Sequence, residues 1–292
     1  MTRKYLQLSG RLGNQLFQWS YAHNLAETFG EKIYLFTDKY HAPIKNDEEI
    51  KYFTDCTHVG YQGQVDNLGR ELKALDWLNT KNRKFSELLS KKLLWERTID
   101  AYTAPKFPIG LWKFSGFYQD YQQVLTVDDI IYSEIRNITD IFFMRLKEKN
   151  HLPDEFQFMH IRRGDLMKNS EVYGVLDLSW YLSNRNSDLP LLVSTDDMVS
   201  SEGLIQALQP DLVLNPKDFS ALETLSIMAN SKDLVMANST LSWWGGYLVS
   251  KMAGKVYFPN PYYKNNTQVV EKLCHPDFLK TDSRFMETRS IE

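Results

Sequence analysis

The chain has 292 residues, 43% of them hydrophobic and 24% charged, with a formal net charge of −3. These are ordinary globular values, ample for a sizeable core in one large or two compact domains, and they exclude a global basic field for nucleic acid. Two cysteines form no disulfide framework and point to a reducing, cytoplasmic setting; no apolar run suggests a signal peptide or a transmembrane helix.

Taken in chain order, residues 4–9 (KYLQLS) alternate apolar and polar as in a strand. The stretch GRLGNQ (10–15) breaks it. Phe17, Tyr21, Leu25 and Phe29 then recur every four residues and predict a helix, ended by Gly30 as its C-terminal cap. Residues 33–36 (IYLF) read as a second strand. Strand, glycine-containing loop, helix and strand make a βαβ unit with parallel strands. Segment 76–97 predicts an amphipathic, locally basic helix: either a solvated face, or one that meets an anionic membrane surface or substrate. Two prolines make 103–110 a loop. The aromatic and amide cluster GFYQDYQ (116–122) follows, then a helix over 134–148.

The second half repeats the rhythm. Strands are predicted at 156–161, 191–193, 212–214, 234–237 and 255–258, the last stopped by Pro259. Helices are expected over 219–230 and, after Asn238-Ser239-Thr240, through Trp243, Trp244 and Leu248. Each unusual polar cluster directly follows a strand: GRLGNQ in the first half, HIRRGD (160–165), STDD (194–197) and NSTLSW (238–243) in the second. Ligands of open parallel sheets bind outside the carboxyl ends of the strands. Two such halves facing each other would form an interdomain cleft.

Each cluster has a chemical and a structural reading. Alternation along a strand puts His160 and Arg162 on one face and Arg163 on the other. Arg162 can grip a phosphate through paired hydrogen bonds, with Asp165 orienting it or accepting a proton; the same pair can simply close a loop. Ser239, Thr240 and Ser242 sit at a helix start, whose free amides favour an anion, or they are an ordinary cap with the Trp243–Trp244 pair as core. Gly10 and Gly13 permit close backbone approach, and Asn14 carries both a donor and an acceptor. Asp196-Asp197 either binds a divalent metal with a diphosphate or caps the next helix; with no His or third carboxylate nearby in sequence, the cap is preferred. No His/Cys spacing suggests zinc, and neither a Walker A pattern nor G-x-G-x-x-G occurs.

GRLGNQLFQ (10–18), GFYQ (116–119), HIRRGD, STDD and NSTLSWWGGY (238–247), in this order, resemble the motifs of glycosyltransferase family 11, the bacterial α-1,2-fucosyltransferases. The resemblance spans most of the chain and is specific through HIRRGD and NSTLSWWG together. It implies an α/β GT-B fold of two Rossmann-like domains. Residues 1–150 would carry the GRLGNQ loop on the acceptor side. Residues 151–292 would bind GDP-fucose, with the last helix packing back on the first domain.

The implied activity is inverting transfer of fucose from GDP-β-L-fucose to the 2-hydroxyl of a β-galactoside, with no metal or cofactor required. The acceptor would be an oligosaccharide or a lipid-linked glycan of bacterial lipopolysaccharide, with peripheral membrane contact through the basic 76–97 segment. Arg162 would hold the β-phosphate, and Arg162, Asn14 and Asp165 would serve catalysis. His160 would lie near the nucleoside. Ser239 to Trp243 would present hydroxyls and amides to the diphosphate, and Glu223 would contact guanine. Gly13, Arg163, Asp196 and Asn238 complete the implied donor set. Two positions depart from the family pattern: Thr224, where a second acid is expected, and Leu166, where tyrosine is common. A metal-dependent transferase using Asp196-Asp197, or a glycan- or nucleotide-binding module without turnover, are the rival readings.

Overall fold

The computed structural model describes residues 4–37, 48–54, 58–64, 95–98, 112–265 and 268–287. These divide into two compact units, Met1–Ile131 and Tyr132–Glu292. Residues 38–47, 76–94 and 103–110 lie outside the described residues, and with them most of the basic helix and the proline-containing loop expected there.

The first unit contains β1 (Lys4–Leu8), α1 (Leu12–Phe29), β2 (Ile33–Thr37), a 3-10 helix (Glu48–Phe53), β3 (Val59–Gln64), β4 (Trp95–Thr98), β5 (Trp112–Ser115) and α2 (Tyr121–Leu125). All paired strands are parallel, in the order β3-β2-β1-β5-β4. Residues 95–97, expected at the end of a helix, are therefore strand: pairing with β5 outweighs the helical pattern there. The central position of β1 buries all five of its residues, including Lys4 and Gln7. Lys4 keeps its charge paired with Glu31 and lies 4.7 Å above the ring of Phe29. Gly30 ends α1 in the left-handed conformation (φ 62°), its N–H bonded to the Ala26 carbonyl.

The second unit is entered through α3 (Asp128–Asn150). It continues with β6 (Gln157–Ile161), α4 (Gly164–Lys168), α5 (Ser170–Tyr173), α6 (Leu178–Ser183), β7 (Leu191–Thr195) and α7 (Met198–Leu208). Then come β8 (Leu212–Leu214), α8 (Ala221–Met228), β9 (Asp233–Val235), α9 (Thr240–Lys251), β10 (Lys255–Asn260), α10 (Gln268–Leu273) and β11 (Leu279–Asp282). The parallel sheet runs β11-β10-β9-β6-β7-β8. Counted within this unit, that is 3-2-1-4-5-6, the order of doubly wound dinucleotide-binding sheets. β10 does not stop at Pro259; it continues to Asn260, with Pro259 opposite Thr281 of β11. A strand in this same sheet, rather than a helix, is the last element of the described chain.

The Trp pair fills the core behind α9. Trp243 and Trp244 are both fully buried, edge to face at 5.0 Å, and Trp243 stacks parallel on Tyr247. The Trp243 indole N–H donates to the Leu273 carbonyl at 2.6 Å, which satisfies its polar atom. Gly245 and Gly246 allow the close approach. A Cβ on Gly245 would stand 2.0 Å from Met228 Sδ on α8, and one on Gly246 would stand 2.9 Å from Val256 on β10.

Candidate active site

In the first sheet β1 pairs with β5; in the second sheet the strand order reverses between β6 and β9. Loops leaving two neighbouring strands in opposite directions open a crevice there. GRLGNQ and GFYQ leave β1 and β5, HIRRGD and NSTLSW leave β6 and β9, and STDD leaves β7, beside β6.

In the first unit, β1 feeds GRLGNQ and β5 feeds GFYQ. α1 begins at Leu12, so Gly13, Asn14 and Gln15 form its first turn rather than the loop expected before it. Gly10 adopts φ +73°, and a Cβ there would lie 2.3 Å from Asn14 Nδ2: the Asn14 side chain folds over a bare backbone. Gln119 Nε2 donates to Asn14 Oδ1 at 3.0 Å, and Gln18 Nε2 donates to the Gly116 carbonyl at 2.8 Å. Gln18 also accepts from the Ser9 amide. The two loops are thus tied together by amides, which fixes the orientation of Asn14. Gly13, expected among the donor contacts, is buried within α1.

In the second unit the register Ile161↔Thr195 between β6 and β7 sets the next residues of both chains side by side. Arg162 Nε lies 3.1 Å from Asp196 Oδ2, and its Nη2 donates to Asp165 Oδ1 at 2.5 Å. Asp196 Oδ1 accepts from the amides of Arg163 (2.7 Å) and Gly164 (3.1 Å). Asp165 is half exposed, whereas the Arg162 and Asp196 side chains are mostly buried. Asp196 was expected to touch the donor; its oxygens are instead taken by the chain that carries Arg162.

His160 is buried, and its Nδ1 meets Ser242 Oγ at 2.5 Å. That hydroxyl also accepts the Ala237 amide at 3.1 Å. Burial, reinforced by the Arg162 charge, pushes the His160 pKa down to about 4, and the ring is neutral. The pair ties β6 to the first turn of α9 from below. Ser242, expected to show its hydroxyl to a diphosphate, is fully buried and serves this strut.

Ser239 caps α9, its Oγ accepting the Leu241 amide at 3.3 Å, and its carbonyl takes the Trp243 amide at 3.0 Å. The Trp243 backbone therefore belongs to the helix ladder and not to a cradle. The Ser242 amide makes no hydrogen bond among the described residues, while Thr240 is part-exposed on the first turn. Asn238 is buried and donates to the carbonyls of Tyr173 and Gly174, both at 3.1 Å.

Two further residues of the expected donor set go elsewhere. Arg163 is buried on the opposite face of the strand end, where its guanidinium reaches Met286; burial lowers its pKa. Glu223 forms a capping box with Ser220, its carboxylate accepting the Ser220 amide at 2.8 Å. Asp197 caps α7 by accepting from the Val199 and Ser200 amides. Sequence reading missed Tyr262 and Tyr263, in the loop after β10. Tyr263 packs edge to face on Tyr173 at 5.3 Å, and the amides of Lys264 and Asn265 bond to α5 carbonyls. Burial raises the pKa of both hydroxyls, opposed by the charge of Arg162.

The family model described as Glycosyl transferase family 11 matches residues 3–277. The chain belongs to glycosyltransferase family 11.

The chain is 26% identical to the O-antigen biosynthesis glycosyltransferase WbnK of Escherichia coli, over 90% of this chain and 96% of that one. It is 25% identical to an alpha-1,2-colitosyltransferase of Escherichia coli, over 88% of this chain and 91% of that one. Among solved structures it resembles a family 9 glycosyltransferase from Veillonella parvula, with TM-score 0.51 and 10% identity over 96% of this chain and 87% of that one. It also resembles the NodZ α-1,6-fucosyltransferase co-crystallized with GDP, with TM-score 0.50 and 13% identity over 84% of this chain and 92% of that one. The two Rossmann-like units are those of the GT-B fold, and this family 11 member is a glycosyltransferase. No helix among its described residues is long and apolar enough to cross a membrane.

Proposed function

We propose that the protein transfers L-fucose from GDP-β-L-fucose to the 2-hydroxyl of a β-galactoside in a bacterial glycan, with inversion at the anomeric carbon. The observation that carries the reading is Arg162: a guanidinium at the switch point of a nucleotide-type sheet, anchored through Nε, beside the start of α9. Among the described residues its Nη edge is held by the half-exposed Asp165. The family membership and the colitosyltransferase among its relatives point to a deoxyhexose donor.

The reaction breaks the bond between fucose C1 and the β-phosphate oxygen. Negative charge grows on the departing diphosphate while the sugar becomes oxocarbenium-like. Arg162 and the amide end of α9 meet that charge with groups already in place. Asn14, oriented by Gln119, is assigned to the sugar-transfer end of the reaction. Asp165 is the candidate base, yet its carboxylate is engaged by Arg162. Leaving-group departure therefore carries most of the barrier reduction, and the acceptor proton is lost late.

The metal-dependent alternative is disfavoured by the carboxylates themselves. Asp196 is engaged by Arg162, Arg163 and Gly164, and Asp197 by the α7 cap. We assign no metal, and activity should persist in EDTA. The direct test is incubation with GDP-fucose, or with its 3-deoxy analogue GDP-colitose, and lactose, N-acetyllactosamine or a β-1,3-linked galactoside. Transfer from GDP-fucose supports the reading. Transfer only from the 3-deoxy donor would replace fucose by colitose, and tight binding without GDP release would make the chain a binding module.

A further inference from the structure

We propose that Asp196 is a positioning residue: it does not touch the donor, but holds Arg162 and the amides of Arg163 and Gly164 in the geometry the leaving diphosphate needs. The inference rests on the donor reading above.

Three observations carry it. First, the parallel register of β6 and β7 makes Asp196 the lateral neighbour of Arg162, so the contact is built into the sheet. Second, one carboxylate engages three consecutive residues. Oδ2 takes the Arg162 Nε edge at 3.1 Å, while Oδ1 takes the two amides at 2.7 and 3.1 Å. A guanidinium ion-paired at Nε can swing little, and an incoming phosphate can take a bidentate grip on its Nη nitrogens by displacing the half-exposed Asp165 from Nη2. Third, the packing leaves no slack. A Cβ at Gly164 would sit 2.5 Å from Asp196 Oδ2, so any larger residue there must push the carboxylate aside.

A ligand role fits these facts poorly. A carboxylate facing the diphosphate would repel it, and both oxygens already have partners. Asp165 makes the contrast. It also pairs with Arg162, but through Nη2 and from a half-exposed position, where an incoming phosphate can replace it.

The test is a cycle between Asp196 and Arg162, read by GDP calorimetry and by kcat and KM. Asp196→Asn preserves size and one acceptor oxygen but sets an N–H against the Arg162 N–H. GDP affinity is expected to fall about tenfold and kcat about 100-fold, with the acceptor KM unchanged and the melting temperature near wild type. In an Arg162→Ala background the same substitution should cost little more, because its effect acts through Arg162. If Asp196→Asn fails to fold, Gly164→Ala, which displaces the carboxylate, should show the same losses and the same non-additivity. Wild-type GDP binding in Asp196→Asn, or losses that multiply in the double variant, would overturn the positioning role alone. Absence of GDP binding by the wild type would overturn the donor reading, and this role with it.

Discussion

Gln119 donates to Asn14 Oδ1 at 3.0 Å across 105 positions of chain, and the contact exists because the loops after β1 and β5 leave neighbouring parallel strands. Gly10 makes room for it. Gly10 at φ +73° and Gly30 at φ +62° both lie in the left-handed region, and of these two only Gly10 is covered by a side chain. Alanine in the left-handed region costs about 1–2 kcal/mol at either position. Urea unfolding should show that loss in both Gly10→Ala and Gly30→Ala. Turnover should drop only in Gly10→Ala, where the new methyl displaces Asn14. Equal turnover in the two variants would remove Asn14 from the reaction.

Arg162→Ala removes the charge that meets the departing diphosphate. Loss of one such contact costs on the order of 3 kcal/mol in the barrier, a fall of about 100-fold or more in kcat. The far-ultraviolet spectrum should be unchanged, because the side chain pairs with the carboxylates of Asp165 and Asp196 and not with the hydrophobic core. A near-wild-type rate would take Arg162 out of its role.

Two buried histidines link stability to pH. Burial, with His58 nearby, pushes the His23 pKa down to about 4, and burial with the Arg162 charge does the same for His160. Unfolded histidine binds its proton near pH 6.5, so between pH 6.5 and 4 the unfolded state holds more protons than the native one. Stability should therefore fall as pH drops through this window, by about 1.4 kcal/mol per pH unit for each histidine. Urea unfolding of wild type and His160→Gln at pH 7 and 5 checks this: the variant should show the shallower slope. Identical slopes would show that His160 is not held neutral.

The sequence announced the frame of both units because it depends on local pattern. The βαβ opening, the Gly30 cap and the strands of the second half lie within a few residues of their expected places. The strand-end position of every motif was legible for the same reason. Individual side-chain roles were not, since they depend on partners far away in the chain. Ser242 looked like a surface hydroxyl until its partner, His160, came from 82 residues away. Nothing local reveals that Arg162, Arg163 and Gly164 converge on Asp196. Glu223 is the opposite case: Ser220-x-x-Glu223 is a capping-box spelling and could have been read as one. Lys4 and Gln7 made β1 look half exposed, whereas its central place in the sheet buries it. Tyr262 and Tyr263 follow a strand like the other clusters, but the reading ended β10 at Pro259 and did not count them.

The most direct test of the proposed activity is the structure of its product. The protein is incubated with GDP-fucose and a β-galactoside, and the purified oligosaccharide is assigned by NMR. The expected result is one added fucose, α-configured and attached at O2 of galactose. Attachment at another hydroxyl, a β-linkage or no transfer would contradict it.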